Sequence, residues 1–336
     1  MMSESSLVPS SIYIYEPNKG AAIFFAAAFA VSGVLHLWQC IYYKCFGITV
    51  LLPFYSVLLV AGFAVRAYGA FHYDDAQVYT ASTLLIYLAP PVLELANFQI
   101  LGRIFHFVPY FALMHPGRLL ITFASLCVIV ELLTALGVSY LANRDIADKL
   151  INLGDTVTRA SLLVQIFIIA TFFLMAGILH RACHIGGINS RKVIRPSVMA
   201  YLSMLLILAR TIYRVVEHFS VPPPINGNVT GFDTSSLRPS LRYEWYFYVF
   251  EATPLLIALV LWNVWHPRHY LPEDHRTYLA QDGVTLLKGP GWKDSRSLTQ
   301  TFFDPFASLT ARGGHNKPFW ENNGYTLKRR RATGRA

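Results

Sequence analysis

Arg210, Tyr213, Arg214 and Glu217 recur at intervals of three and four inside an otherwise apolar stretch, residues 198–219. At those intervals they share one helix face. Two guanidiniums and a carboxylate find no compensation in hydrocarbon, so such groups face a bundle interior or a wet cavity. The next apolar stretch, 243–265, carries Glu244 and Glu251 seven residues apart, again on one face. Arginines and carboxylates at membrane depth can do two kinds of chemistry. They can hold the charged head of an amphiphile in a polar cavity, or they can pair with one another and fix the helix packing. Both readings stay open on residue types alone.

The elements that must position these groups are helices in a membrane. The chain has 336 residues, 54% of them hydrophobic and only 14% charged, against about 25% charged in ordinary soluble domains. The apolar residues gather into seven runs, approximately 20–43, 48–70, 78–104, 119–142, 160–179, 198–219 and 243–265. Each is long enough to cross about 30 Å of hydrocarbon at roughly 1.5 Å per residue. Period-two alternation is absent, and only helices or closed barrels satisfy backbone groups in lipid. The expected fold is therefore an all-α integral membrane protein with seven transmembrane helices. Residues 1–19 form a short polar N-terminus, 20–266 the membrane domain, and 267–336 a largely disordered tail rich in Gly, Pro and charge.

Loop charges set an expected orientation. With the N-terminus outside, the inner loops hold Lys44, Arg103, Arg118, Arg181, Arg191, Lys192 and Arg195, and the outer loops hold Asp74 and Asp75. Cations favour the cytoplasmic side, so the C-terminal tail is expected in the cytoplasm. Asn228-Val-Thr230 is a glycosylation sequon in what is then an outer loop. The net charge of +9 is not a nucleic-acid signature, because twelve of the 28 Lys and Arg lie in the tail after His266 and no reader motif accompanies them.

Depth counting on that orientation pairs the buried charges. Arg210 lies near the midplane, with Arg214 and Glu217 progressively nearer the outside; Glu251 lies at the depth of Arg210 and Arg214, and Glu244 nearer Glu217. Arg66 in the second run and Glu131 in the fourth add further charge, as does Glu94 in the third. His180 and His184 share a face but have no third ligand at convincing spacing, so no metal is expected. His36 reads as a packing residue. Cys40, Cys45, Cys127 and Cys183 have no zinc spacing and read as reduced thiols. No P-loop, G-x-S-x-G or H-E-x-x-H occurs. No cofactor and no enzymatic activity are expected, and any transport is downhill or gradient-driven.

Over residues 20–270 the chain resembles the fungal lipid-translocating exporter family, the seven-helix proteins linked to aminocholesterol and sphingoid-base resistance. The resemblance is carried by Arg210-x-x-Tyr213-Arg214-x-x-Glu217, by Glu244-Trp-Tyr-Phe-Tyr248-Val-Phe-Glu251-Ala-x-Pro254 and by Asn263-Val-Trp-His266-Pro267. Leu88-Ala-Pro90-Pro91, Ala96, Gly102-Arg103 and Gln165 also fit. Three positions depart from the family pattern. Leu59 stands where an acid is usual, although Arg66 is kept. Cys127 and Thr134, with Glu131 between them, stand where the fourth helix tends to carry Asp and Gln, and Glu94 stands where an uncharged residue is usual.

The resemblance implies a lipid translocator or exporter acting on sphingoid bases or similar amphiphiles, including sterol-like ones, and contributing to resistance to toxic lipids. It implies a site among Arg66, Glu131, Arg210, Tyr213, Arg214, Glu217, Glu244 and Glu251. The alternative is a seven-helix receptor or lipid sensor without transport activity, since fold alone does not fix function. The plasma membrane is the expected location, with endoplasmic reticulum or vacuole as alternatives.

Overall fold

The computed structural model describes residues 18–72, 75–142, 147–219, 243–272, 274, 276–289 and 300. Among the described residues, seven helices are long and apolar enough to cross a membrane. They are α1 (Lys19–Tyr42), α2 (Leu51–Gly69), α3 (Ala76–Phe107), α4 (Pro116–Ala142), α5 (Asp148–Ile185), α6 (Arg191–His218) and α7. The last is built from three consecutive pieces: Trp245–Phe247, a π-helical turn Tyr248–Ala252, and Thr253–Val264. The protein is an integral membrane protein of the seven-helix class.

Sequential neighbours pack against one another, and α6 also packs on α3 and α1 on α7. The third helix has no single apolar face and is the most buried of the seven, as expected of a central helix. It carries Pro90 and Pro91 without breaking, which membrane bundles tolerate because neighbours satisfy the freed groups. Helices α4 and α5 meet through small residues. A Cβ on Gly137 would lie 2.0 Å from Thr158 Oγ1, and one on Gly154 would lie 2.8 Å from Tyr140 Cβ. Such surfaces let backbones approach where no hydrophobic force drives association. Phe24, Val31, Val57, Phe167 and Leu174 point outward, as a lipid-facing surface requires.

Two features differ from the sequence expectation. Helix α5 begins at Asp148, twelve residues before the apolar run, because hydropathy marks where a helix crosses lipid and not where its hydrogen bonds start. Its 38 residues extend about 57 Å at roughly 1.5 Å per residue, well beyond the hydrocarbon. The Arg159–Asp155 pair at 2.9 Å sits on that extension.

The second difference lies at the start of the tail, among its described residues. Its first part is folded: Pro267–His269 makes a 3-10 turn, and strands β1 (Thr277–Leu279) and β2 (Leu286–Lys288) form an antiparallel hairpin. Leu271, Tyr278 and Leu279 are buried against the bundle. The Arg103 guanidinium donates to Pro272 O at 2.6 Å, and the Tyr110 hydroxyl donates to Leu279 O. The hairpin loop uses Gly283 at φ +74°, a conformation glycine adopts without strain. Beside it, the Asp282 carboxyl accepts from the Thr285 hydroxyl and from the N–H groups of Val284 and Thr285, which lowers its pKa. A run of sparse apolar residues too short for a period was enough for docking. Residues 290–299 and 301–336 lie outside the described residues.

Candidate functional site

The alternating course of the helices brings the C-terminal halves of α2 and α6 to the same end of the bundle as the starts of α1 and α7. Three arginines and three glutamates meet there. Arg210 donates from Nε at 2.7 Å and from Nη2 at 2.5 Å to Glu251 Oε1, the pairing depth counting expects. Arg214 stands between two acids, bonded to Glu217 and with Nε 3.8 Å from Glu251 Oε2.

Glu244 has a different partner from the expected neighbourhood of Glu217. It accepts from Arg66 Nη2 at 2.8 Å and from the Tyr248 hydroxyl at 3.1 Å. Its other oxygen accepts from the Asn18 N–H at 2.5 Å, at the mouth of α1. The same Asn18 caps α1 through its side chain. One glutamate therefore ties together the N-terminus of α1, the end of α2 and the start of α7.

Aromatic rings complete the setting. The Arg214 guanidinium lies 4.0 Å from the Tyr87 ring centre and Arg210 lies 5.9 Å from it. Arg66 lies 4.3 Å from the Phe247 ring centre. Cations over aromatic faces in a dry site gain on the order of 1–2 kcal/mol. Tyr213 stacks on Phe250 at 5.6 Å, on the same side of α6 as Arg210 and Arg214.

The π turn sets the phase of these groups. Pro254 has no N–H to donate, and the wider turn just before it absorbs the interruption. The Tyr248 carbonyl accepts from the Thr253 N–H, as a π turn requires, and also from the Thr253 hydroxyl at 2.8 Å. The turn contains Glu251 itself, so the residue that pairs with Arg210 is placed by a local irregularity. π turns of this kind are frequent at functional sites.

The cluster is closed. Glu251 is 0% exposed, Arg210 and Arg214 3%, Arg66 5% and Glu244 9%; these groups face one another and not an outward-opening cavity. Its charges balance, three cations against three anions. Glu131 stands apart from it, half-buried on α4 beside Cys127 and within electrostatic reach of Glu94 and Arg210. Glu94 on α3 is 0% exposed and accepts from Gln165 Nε2 at 2.7 Å. Asn97, one turn along α3, links Ser203 of α6 and Trp262 of α7 at 3.0 and 3.1 Å.

Tyr87, Asn97 and Asn18 are the site residues the sequence reading misses. An aromatic among leucines in a membrane helix carries no signal. Asn18 just ahead of an apolar run is a helix-cap signature, but capping does not announce a second bond to Glu244.

The remaining candidates fall elsewhere. His36 Nε2 lies 3.0 Å from Leu259 O and joins α1 to α7. Cys40 and Cys45 are buried, both within hydrogen-bond reach of Thr49, and all four cysteines are free thiols. His180 and His184 are exposed and line a small cavity of about 270 Å³ with Cys183 at the opposite end of the bundle. Among the described residues no three His, Cys, Asp or Glu side chains stand together as metal ligands. A second, wholly apolar groove of about 470 Å³ runs between α1 and α7, lined by Phe24, Ala28, Val31, Leu256 and Val260 among others. Asn228 lies outside the described residues.

The family model described as "RTA1 like protein" matches residues 55–274, well over half of the chain. A protein of Leptosphaeria maculans named lipid-translocating exporter-like protein RTA1 is 41% identical over 302 residues, covering 86% of this chain and 57% of its own length. The chain thus spans little more than half of that relative. A protein of the same name from Ajellomyces capsulatus is 30% identical over 273 residues, 76% of this chain and 80% of the relative. A probable lipid transporter of Emericella nidulans is 26% identical over 287 residues, covering 80% and 71%. No solved structure matches the chain.

Proposed function

The chain belongs to the RTA1-like family, and from that premise and the buried charge cluster we propose that it translocates lipid amphiphiles across the membrane. Its relatives' names support a membrane transport role. The finer reading is that the substrate is a sphingoid base or a similar amphiphile, whose polar head is handled by the Arg66, Arg210, Arg214, Glu217, Glu244 and Glu251 cluster with Tyr213. The observation that carries it is the cluster itself: six ionisable groups, mutually neutralised at membrane depth, on three helices that close one end of the bundle. Intramembrane charges are costly and mark substrate pathways. A pre-neutralised network can exchange internal partners for a charged head without exposing a bare charge to lipid. The apolar groove between α1 and α7, which begins within one turn of Phe25 on the same helix, is suited to a hydrocarbon tail.

The test is reconstitution of the purified protein in vesicles with a labelled sphingoid base. Translocation above that of protein-free vesicles is expected. Saturable binding with no translocation would favour the alternative of a lipid sensor.

The N-outside orientation and plasma-membrane location belong to the same proposal, on the strength of the loop charges. With that orientation Asn228 faces the lumen during biosynthesis. Glycosidase treatment is expected to shift the mass of the wild-type protein and to leave Asn228→Gln unchanged; a wild-type protein without the shift would point to the reverse topology.

A further inference from the structure

Glu94 stands outside the balanced cluster. It is fully buried on α3, the central helix. One carboxyl oxygen, Oε1, accepts from Gln165 Nε2 at 2.7 Å; the other, Oε2, is buried with no hydrogen-bond partner. The cations nearby are committed elsewhere. Arg210 places both Nε and Nη2 on Glu251, Arg214 lies on Glu217 and Glu251, and Arg66 lies on Glu244. The groups facing Glu94 from the packed helices are Cys127 and Glu131 of α4, Gln165 of α5 and Arg210 of α6. Beyond Arg210 lie Tyr55 of α2 and Glu251 of α7. Five acids thus share three arginines. A carboxylate held in a dry interior by a single neutral hydrogen bond costs several kcal/mol, and such a group takes up a proton instead.

We propose that Glu94 is a proton-binding site, and that its proton is exchanged for the cationic head of the transported amphiphile. This rests on the transport reading above and supplies its coupling. In the closed state the proton sits on the Glu94 carboxyl. When the bundle opens, the Glu94 O–H bond breaks, the proton passes to water, and the carboxylate left behind is neutralised by an entering ammonium head. Glu131, half-buried on α4 and in electrostatic reach of Glu94, serves as the relay. One cation replaces one proton, so the net charge of the site is the same before and after. Two independent features point to a ligand: the surplus of acid over base, and the unpartnered Oε2 within it.

The test uses the full chain in vesicles with an N-trimethylated long-chain base, whose charge does not titrate. With the lumen one pH unit more acidic than the bath, wild-type vesicles are expected to concentrate the probe up to about tenfold, the limit for one-for-one exchange (about 1.4 kcal/mol). Glu94→Gln keeps the shape and the bond to Gln165; it is expected to lose the pH-driven accumulation. Wild-type protein that translocates the probe but ignores the gradient would overturn the proton inference and leave the transport reading standing.

Infrared spectroscopy gives a readout that does not depend on transport. A protonated-carboxyl C=O band is expected at neutral pH in wild type and diminished in Glu94→Gln. A wild-type protein without that band overturns the assignment even if the variant cannot be recovered folded. The band without any translocation upholds proton binding and overturns the exchange.

Discussion

Glu251→Ala is expected to deplete the folded protein, lowering its stability by about 3–5 kcal/mol, the usual result of removing one partner of a buried ion pair. The cause is what remains behind. Arg210 gives two hydrogen bonds to Glu251 Oε1, and Arg214 stands 3.8 Å from Oε2. Arg214 keeps Glu217, but Arg210, 3% exposed, loses both of its hydrogen bonds to a carboxylate. Stability margins of roughly 5–15 kcal/mol are general, so a loss of this size shows as a lowered thermal midpoint and poor recovery in detergent. The double replacement Arg210→Met with Glu251→Met removes both charges together and is expected to restore most of the stability. Size-exclusion monodispersity and thermal unfolding of the three proteins check this. The rescued double variant then separates the two roles of the pair. If it folds and translocates lipid as wild type does, the pair serves packing alone; if it folds and is inactive, the pair serves the substrate.

How much of this was legible in the sequence follows from what each kind of signal measures. Seven crossings were legible because apolar run length is set by bilayer thickness. The Arg210–Glu251 pair was legible because two antiparallel neighbours joined by one connection share a depth scale. The partner of Glu244 was not. Depth places a residue along the membrane normal, whereas its azimuth depends on helix rotation, which packing decides. Glu244 turns toward Arg66 of α2 and the N-terminus of α1, and the π turn between Glu244 and Glu251 shifts the phase that a regular helix would give. Glu94 was visible as an anomaly of type, but that Arg66, Arg210 and Arg214 give their hydrogen bonds to other acids emerges only once the three cations have been assigned. The docked hairpin escaped detection for a simpler reason: strands of three residues are too short for any period.

Arg214 is where the packing and transport readings diverge most sharply. It is the one group that touches both ends of the cluster, bonded to Glu217 nearer the bundle end, close to Glu251 farther in, and resting on Tyr87 of α3. Arg214→Ala leaves Glu217 without its cation, yet Glu217 is the most exposed acid of the six groups, its side chain 19% exposed, so water can take over part of the solvation. The expected stability loss is therefore smaller than for Glu251→Ala, about 1–3 kcal/mol. The expected functional loss is larger. A head moving from the mouth toward Arg210 must pass the guanidinium that bridges both acids, and removing it is expected to lower the translocation rate at least tenfold in folded protein. Arg214→Lys keeps the charge but replaces the planar fork with a point charge that cannot span two carboxylates while lying flat on Tyr87; an intermediate rate is expected. Folded protein with wild-type translocation in Arg214→Ala would remove the cluster from the lipid path. In that case the balanced charges are a clasp holding α2, α6 and α7 together, and the route for the amphiphile lies elsewhere in the bundle.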